Sequence, residues 1–175
     1  MKIIDLTQQL FDHMPAYPGD PEVIIEEIHT IKNQGWNLRN MTFSTHIGTH
    51  VNVPYHMVQS GKTLDDFSLD IFMGKCTVYK PGMQFQKDVG VIFHDPNIDN
   101  LLADQLIKSL PKFIGISNKY EFDVAIEKKL LRHGIISYEN LTNTEALPDE
   151  FFFYGLPLNI KGGDGSPVRA FAVVG

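Results

Sequence analysis

The sequence is short of cysteine and of basic residues, and these shortages exclude several classes of protein. The single cysteine, Cys76, cannot form an intramolecular disulfide, and its place in an apolar run predicts a buried thiol in a reducing compartment. The 175 residues include 15 Lys and Arg against 21 Asp and Glu, which gives a formal net charge of -6. Because nucleic acids and anionic membranes bind basic surfaces, we expect neither as a partner.

Long hydrophobic runs are also missing. No stretch reaches the roughly 18 consecutive apolar residues of a membrane span, and the short apolar start is interrupted by Asp5, unlike a secretion signal. We therefore expect a cytoplasmic protein. The length and the lack of repeats or low-complexity linkers predict one domain over residues 1–175.

Apolar and turn-forming residues predict many short strands and two well-marked helices. Asp99 can cap a helix over 101–110, and Asp123 can cap one over 124–132 that ends at Gly134. Residues 65–73 predict a third, shorter helix. Runs of β-branched and aromatic residues favour strands at 3–6, 23–31, 41–53, 76–80, 91–93, 113–116, 135–138, 151–158 and 168–174. Many strands without regular strand–helix alternation indicate an α+β fold.

The most informative segment runs from residue 44 to 57 and reads STHIGTHVNVPYHM. Its Gly, Thr, Val and Pro residues disfavour a helix, and in an extended strand residues two apart point to the same face. This spacing predicts that His46, His50 and Asn52 share one face. Converging imidazole nitrogens and an amide oxygen can hold a divalent metal. One histidine alone is more simply satisfied by backbone or water, so the prediction depends on their joint spacing.

The same segment resembles a family signature. H-x-G-T-H-x-N-x-P-x-H is similar to the H-x-G-T-H-x-D-x-P-x-H of the cyclase family of metal-dependent hydrolases, which includes bacterial kynurenine formamidase and isatin hydrolase. Asn52 stands at the aspartate position. Residues 17–21 are similar to the family's aromatic-Pro-Gly-Asp turn, and segments within 130–141, 156–158 and 163–170 match its second half in order. The resemblance implies the family's swivelling β/β/α fold.

The resemblance also implies roles for individual residues. His46 and His50 match two metal ligands, His56 matches the catalytic acid or base, and Glu139 matches a ligand glutamate. Tyr17 matches the aromatic residue that flanks the substrate.

Two predicted ligands depart from the family. Asn52 replaces an aspartate, and Glu127 stands where the family has a histidine. An amide oxygen is a weaker ligand than a carboxylate and cannot bridge two metals, whereas Glu127 adds a hard oxygen donor. We therefore expect one divalent metal ion, zinc or manganese. Glu127 also lies in a Glu-Lys-Lys run of a predicted helix, where a solvent-exposed position is an equally good explanation.

Two other features have simpler interpretations. The segment 162–165, Gly-Gly-Asp-Gly, lacks the lysine and hydroxyl residue of a phosphate-binding loop and predicts a turn between the last two strands. Arg169 can reach the site or bind a carboxylate elsewhere.

Two functional hypotheses follow. The first is a metal-dependent hydrolase of a small amide, such as an aryl formamide of the kynurenine type or a cyclic amide. The second is a degenerate family member that binds a small molecule without hydrolysing it, which Asn52 and Glu127 favour. In either case the partner is a small-molecule substrate or ligand, and the resemblance implies a homodimer or a higher homo-oligomer.

Overall fold

The computed structural model describes residues 1–94 and 98–175. The strands are β1 Lys2–Asp5, β2 Ile24–His29, β3 Leu38–Thr42, β4 His50–Asn52, β5 Met73–Val78, β6 Gly90–Phe93, β7 Phe113–Ser117, β8 Ile136–Leu141, β9 Glu150–Tyr154, β10 Gly165–Pro167 and β11 Phe171–Val174. The α-helices are α1 Ile31–Gln34, α2 Asn100–Ser109 and α3 Val124–Arg132. Short 3-10 turns lie at Pro54–His56, Leu64–Asp66, Leu69–Phe72 and Thr144–Ala146.

Nine of these strands form one mixed sheet in the order β1-β11-β9-β5-β6-β7-β8-β4-β10. The neighbours from β5 to β8 are parallel, and the remaining pairs are antiparallel. Strands β2 and β3 form a separate antiparallel ribbon. A large sheet with few helices agrees with the predicted α+β class. The five elements β6, α2, β7, α3 and β8 were each predicted, but not as a regular strand–helix alternation, and this alternation explains why this part of the sheet is parallel.

Two apolar layers cover the two faces of the sheet. Along β6, Val91 and Phe93 pack on the side of α2 and α3, whereas Ile92 packs on the opposite side, as expected from the two-residue period of a strand. The helix-covered layer includes Leu106 of α2 and Leu130 of α3. The helices are therefore fixed on one face by apolar burial, and α3 is held above the strands that carry the candidate site.

Both predicted helix caps are confirmed. Asp99 accepts a hydrogen bond from the backbone N–H of Leu102 at 2.8 Å, and Asp123 accepts from Ala125 and Ile126 at 2.9 and 3.1 Å. Helix α3 ends before Gly134, whose φ of +79° suits a residue without a side chain.

The predicted helix over 65–73 is wrong. Two 3-10 turns replace it, because Thr63 and Asp66 form a capping box and Phe67 and Ser68 between the turns are extended. Ser68 also donates to Asp70. These local side-chain hydrogen bonds compete with a continuous helix.

The predicted single strand over 41–53 is also wrong. Strand β3 ends at Thr42 and β4 begins at His50, with a turn between them. Gly48 in this turn has a φ of +58°, and a Cβ atom there would lie 2.6 Å from Leu10 Cδ2. Of the strand predicted over 168–174, only Phe171–Val174 forms a strand, β11, while the strand predicted to reach Leu158 ends at Tyr154.

No helix among the described residues is long and apolar enough to span a membrane.

Candidate active site

Four of the predicted site residues meet on two neighbouring strands, β4 and β8, and on helix α3 above them. On β4, His50 lies opposite Glu139 of β8, and Asn52 lies opposite Ser137 of β8 and Gly165 of β10. Glu127 lies in the first turn of α3. The sheet register and the packing of α3 therefore bring together residues that are far apart in sequence.

His46 reaches the same point from the turn before β4. Its ring centroid lies 5.3 Å from that of His50 and 4.0 Å from that of His56. The expectation that His46 shares a strand face with His50 is wrong, but the three imidazoles do converge. Gly165 makes room for this arrangement, because a Cβ atom there would lie 2.6 Å from His46 Cε1.

His46, His56 and Asp164 form what we call the imidazole cluster. The Oδ2 atom of Asp164 lies 2.8 Å from His46 Nε2 and 3.9 Å from His56 Nδ1, and Thr45 Oγ1 donates to Asp164 Oδ1 at 2.9 Å. Among the described residues this is the one group of three histidine, cysteine or acidic side chains whose ligand atoms all lie within 4.8 Å of one another. Two imidazoles and a carboxylate are a common donor set for a divalent transition metal.

Burial and neighbouring charge set the ionisation of this cluster. Burial lowers the pKa of His56, and the charge of His46 lowers it further. Burial would raise the pKa of Asp164, but its hydrogen bond to His46 and the charge of that histidine outweigh burial, so the pKa is lowered. His56 is therefore suited to accept a proton beside an ionised carboxylate.

His50 is held in a definite tautomer. Its Nδ1–H donates to the carbonyl oxygen of Gly48 at 2.8 Å, and the same carbonyl accepts from Asn140 Nδ2 at 3.1 Å. The Nε2 atom of His50 lies 3.6 Å from Glu139 Oε1. Fixing Nδ1 in this way leaves Nε2 with its lone pair directed at the site, as in metal-binding histidines.

Asn52, Glu127, Glu139 and Ser137 form what we call the carboxylate cluster. Asn52 Nδ2 donates to Oε1 of Glu127 and to Oε1 of Glu139, both at 2.7 Å, and Ser137 Oγ donates to Glu127 Oε1 at 2.6 Å. Burial, followed by the charge of Glu139, raises the pKa of Glu127. Burial opposes ionisation of Glu139 too, but hydrogen bonds and the charge of His50 lower its pKa overall.

The donors of the imidazole cluster fit a cation. His46 Nδ1 lies 2.8 Å from the amide oxygen of Asn52, and Nε2 lies 2.8 Å from Asp164. Both neighbours are acceptors and a neutral imidazole has one N–H, so a cation bound at Nε2 beside Asp164 would take the place of the second proton. The Nε2 atom of His50, 3.6 Å from Glu139 Oε1, lies on the same pocket floor.

His46, His50, His56, Glu127 and Glu139 form the floor of a cavity of about 550 Å³. Tyr17, Phe122 and Met57 line its walls, and the acidic side chains of Asp20 and Glu121 lie at its edge. Tyr17 is 61% exposed, so its ring remains available to a ligand. A contact between Tyr17 and substrate stays a prediction.

The structure shows where Glu127 and Arg169 lie, which the sequence left open, and it adds Asp164 to the candidate site. Glu127 is only 3% exposed and faces Asn52, which excludes the solvated alternative. Arg169 binds Asp5. Asp164 was interpreted only as part of a turn, although its segment belongs to the stretch 163–170 that resembles the family.

A comparison with known protein families shows which family the chain belongs to. The family model described as "Putative cyclase" matches residues 4–106, which is more than half of the 175 residues. The chain belongs to this cyclase family. An uncharacterised protein of Methanocaldococcus jannaschii is 31% identical over 193 residues, with 99% of this chain and 100% of that protein covered. A kynurenine formamidase of Geobacillus thermodenitrificans is 29% identical over 201 residues, with 95% of each covered.

Solved structures give the fold of this cyclase-family chain. Isatin hydrolase A from Ralstonia solanacearum has a TM-score of 0.78 at 19% identity, with 99% of this chain and 92% of that one covered. A protein from Bacillus stearothermophilus described as a predicted metal-dependent hydrolase has a TM-score of 0.77 at 21% identity, with 98% and 97% covered. The predicted swivelling β/β/α fold of the cyclase family is thereby confirmed.

Proposed function

We propose that this cyclase-family chain is a metal-dependent hydrolase of a small amide. The observation that carries the proposal is a cavity lined by three imidazoles and by the carboxylates of Glu127 and Glu139, with Asp164 in contact with His46. Relatives named kynurenine formamidase and structural neighbours named isatin hydrolase support an aryl formamide or a cyclic amide as the substrate.

One divalent ion, zinc or manganese, is part of the proposal. His46 and His50 are the residues that would hold it, as predicted, together with Asp164, whose Oδ2 lies 2.8 Å from His46 Nε2. When bound, such an ion would polarise the substrate carbonyl and lower the pKa of a water molecule. Nitrogen and oxygen donors of this kind suit both metals.

The chain's own residues supply proton transfer and positioning. His56, with a lowered pKa, accepts a proton near neutral pH and returns it to the leaving nitrogen. Asp164 lies between His46 and His56 and orients both rings. Tyr17 and Phe122 flank the ring of an aromatic substrate on the cavity wall.

A second candidate is a small-molecule binding protein that has lost hydrolysis. The hydrogen bonds of Asn52 to Glu127 and Glu139 favour it, because they occupy carboxylates that matched metal ligands in the sequence.

Hydrolysis of two substrates by metal-free and metal-loaded protein distinguishes the two candidates. Formanilide represents the aryl formamides and isatin the cyclic amides, and product release is followed after treatment with chelator and after addition of Zn²⁺ or Mn²⁺. A hydrolase shows turnover that chelation abolishes and metal restores. Saturable binding of both compounds without turnover in any metal state would instead establish the binding protein.

Assembly as a homodimer or a higher homo-oligomer and a cytoplasmic location are also proposals. The two-stranded ribbon of β2 and β3 supports assembly, because most of its residues are exposed and it carries large apolar side chains. An isolated two-stranded ribbon is only marginally stable in water. The buried thiol of Cys76 suits a reducing compartment.

A further inference from the structure

Two buried carboxylates of the pocket floor are turned towards one atom. Oε1 of Glu127 and Oε1 of Glu139 each lie 2.7 Å from Asn52 Nδ2. Glu127 is 3% exposed, and the side chain of Glu139 is 19% exposed. Two carboxylates placed so close together away from water repel each other unless a proton, a cation or hydrogen-bond donors lie between them.

The orientation of the Asn52 amide is fixed by the neighbours of its nitrogen and of its oxygen. An ionised carboxylate can only accept hydrogen bonds, so the NH₂ group must face the two glutamates. The amide oxygen then faces His46 Nδ1 at 2.8 Å, where an N–H donor can meet it. Reversing the amide would place its oxygen against both carboxylates, which costs two hydrogen bonds and adds repulsion.

Hydrogen-bond donors around the two glutamates balance their charge without an ion. Ser137 Oγ donates to the same Oε1 atom of Glu127 at 2.6 Å. The two N–H groups of Asn52 and the hydroxyl of Ser137 therefore provide three donors to the pair.

We propose that the Asn52 amide takes the place of a divalent cation between Glu127 and Glu139, so that the carboxylate cluster binds no ion and any cation is confined to the imidazole side of the pocket. The inference rests on the proposed function only in assuming a cation at His46, His50 and Asp164. The pocket thus binds at most one ion.

Cation binding by Asn52→Asp tests the proposal without any activity assay. The substitution places a third carboxylate against the other two, so the metal-free variant is expected to melt about 10 °C below the wild type. Zn²⁺ or Mn²⁺ should restore most of that loss, and the variant should bind one more equivalent of metal than the wild type in calorimetry and elemental analysis. Asn40→Asp is the matched control, because Asn40 also donates to a glutamate, Glu26, but at an exposed position of the ribbon.

The proposal is overturned if Asn52→Asp gains no metal equivalent, or if wild-type protein binds two equivalents. A second variant covers the case in which Asn52→Asp does not fold. Glu127→Gln in the otherwise wild-type chain should leave the bound metal unchanged within about threefold in affinity, because Glu127 is not a ligand. A loss of metal in Glu127→Gln also overturns the proposal. Wild-type protein that binds no metal, beside an Asn52→Asp variant that does, supports this inference while contradicting the proposed hydrolase.

Discussion

At the scale of single residues, two side chains that contact the pocket-lining residues differ in what they can donate or accept. The carboxylate of Asp164 accepts from His46 and lies near His56, so that side collects imidazole nitrogens around an anion. The amide of Asn52 donates to Glu127 and Glu139, so that side is neutralised by N–H groups. One pocket therefore holds a part suited to a cation and a part that does not require one.

His56→Ala is expected to reduce hydrolysis by roughly two to four orders of magnitude, because it removes the residue proposed to transfer the proton. Bound metal should remain, since His56 is not among the proposed ligands. The measurement is kcat/KM for formanilide in metal-loaded protein. His133→Gln is the control, because His133 ends α3 and its ring bonds the carbonyl of Lys129, away from the pocket. Equal activity in the His56 variant and the wild type would remove His56 from the mechanism.

Cys76 should react very slowly with thiol reagents in the folded protein. It is 2% exposed, and burial raises the pKa of its thiol well above the usual value, so little thiolate is available. We expect alkylation at least roughly 100-fold slower in native protein than in denaturant, because reaction requires opening of the structure. Mass spectrometry of samples taken over time measures the rate of alkylation. Labelling of native protein at the denatured rate would show that the thiol is accessible.

At the scale of elements, the site depends on where α3 begins. Glu127 lies in the first turn, so its carboxylate is placed by the cap at Asp123. Strand β8 is fixed below it through pairing with β4, which sets Glu139 beside His50. A helix start and a strand register therefore determine the distance between the two glutamates.

Asp123→Ala and Asp99→Ala form a matched pair that separates the cap from the site. Each removes an N-cap hydrogen bond and should cost about 1 kcal/mol, or roughly 2–4 °C in Tm. Asp123→Ala should also lower kcat/KM, because fraying of α3 moves Glu127, whereas Asp99→Ala should leave it unchanged. Thermal unfolding and kinetics of both variants check this. Identical kinetic effects in the two variants would mean that the start of α3 does not position the site.

At the scale of the whole molecule, one part of the chain lies outside the main sheet. The β2–β3 ribbon leaves Ile28, Trp36, Leu38 and Met41 between 46% and 59% exposed. Neighbouring large apolar side chains on a thin ribbon are typical of an interface. The ribbon also follows residues 15–18, which line the cavity, so the proposed interface and one wall of the site are close in sequence.

Replacing Trp36 and Met41 together by lysine should convert an oligomer into monomers, because it places two charges on the proposed apolar interface. Light scattering after size-exclusion chromatography gives the mass directly, and the subunit mass is 19.8 kDa. Leu101→Lys on α2 is the control, because Leu101 is 67% exposed and lies outside the ribbon. A wild-type protein that is already monomeric would contradict the proposed assembly.

The sequence alone was sufficient for features that depend on neighbours in the chain. Both aspartate caps follow from side-chain acceptors within three residues of the N–H groups they bind, and the end of α3 follows from Gly134. The family resemblance followed from eleven consecutive positions, and the matching family model now supports it. The convergence of His46 and His50 was also predicted, although a turn rather than a continuous strand produces it and His56 joins them.

Only the tertiary structure decided which residues complete the site. Asp164 reaches His46 across 118 positions of sequence, and Asn52 meets Glu127 across 75 positions, through pairing of β4 with β8 and β10 and packing of α3. No local pattern distinguishes Glu127 from a solvated helix residue, because its burial depends on the strands beneath it. Hydrogen bonds between residues distant in sequence are set by sheet register and helix packing, and neither can be inferred from neighbouring residues in the chain.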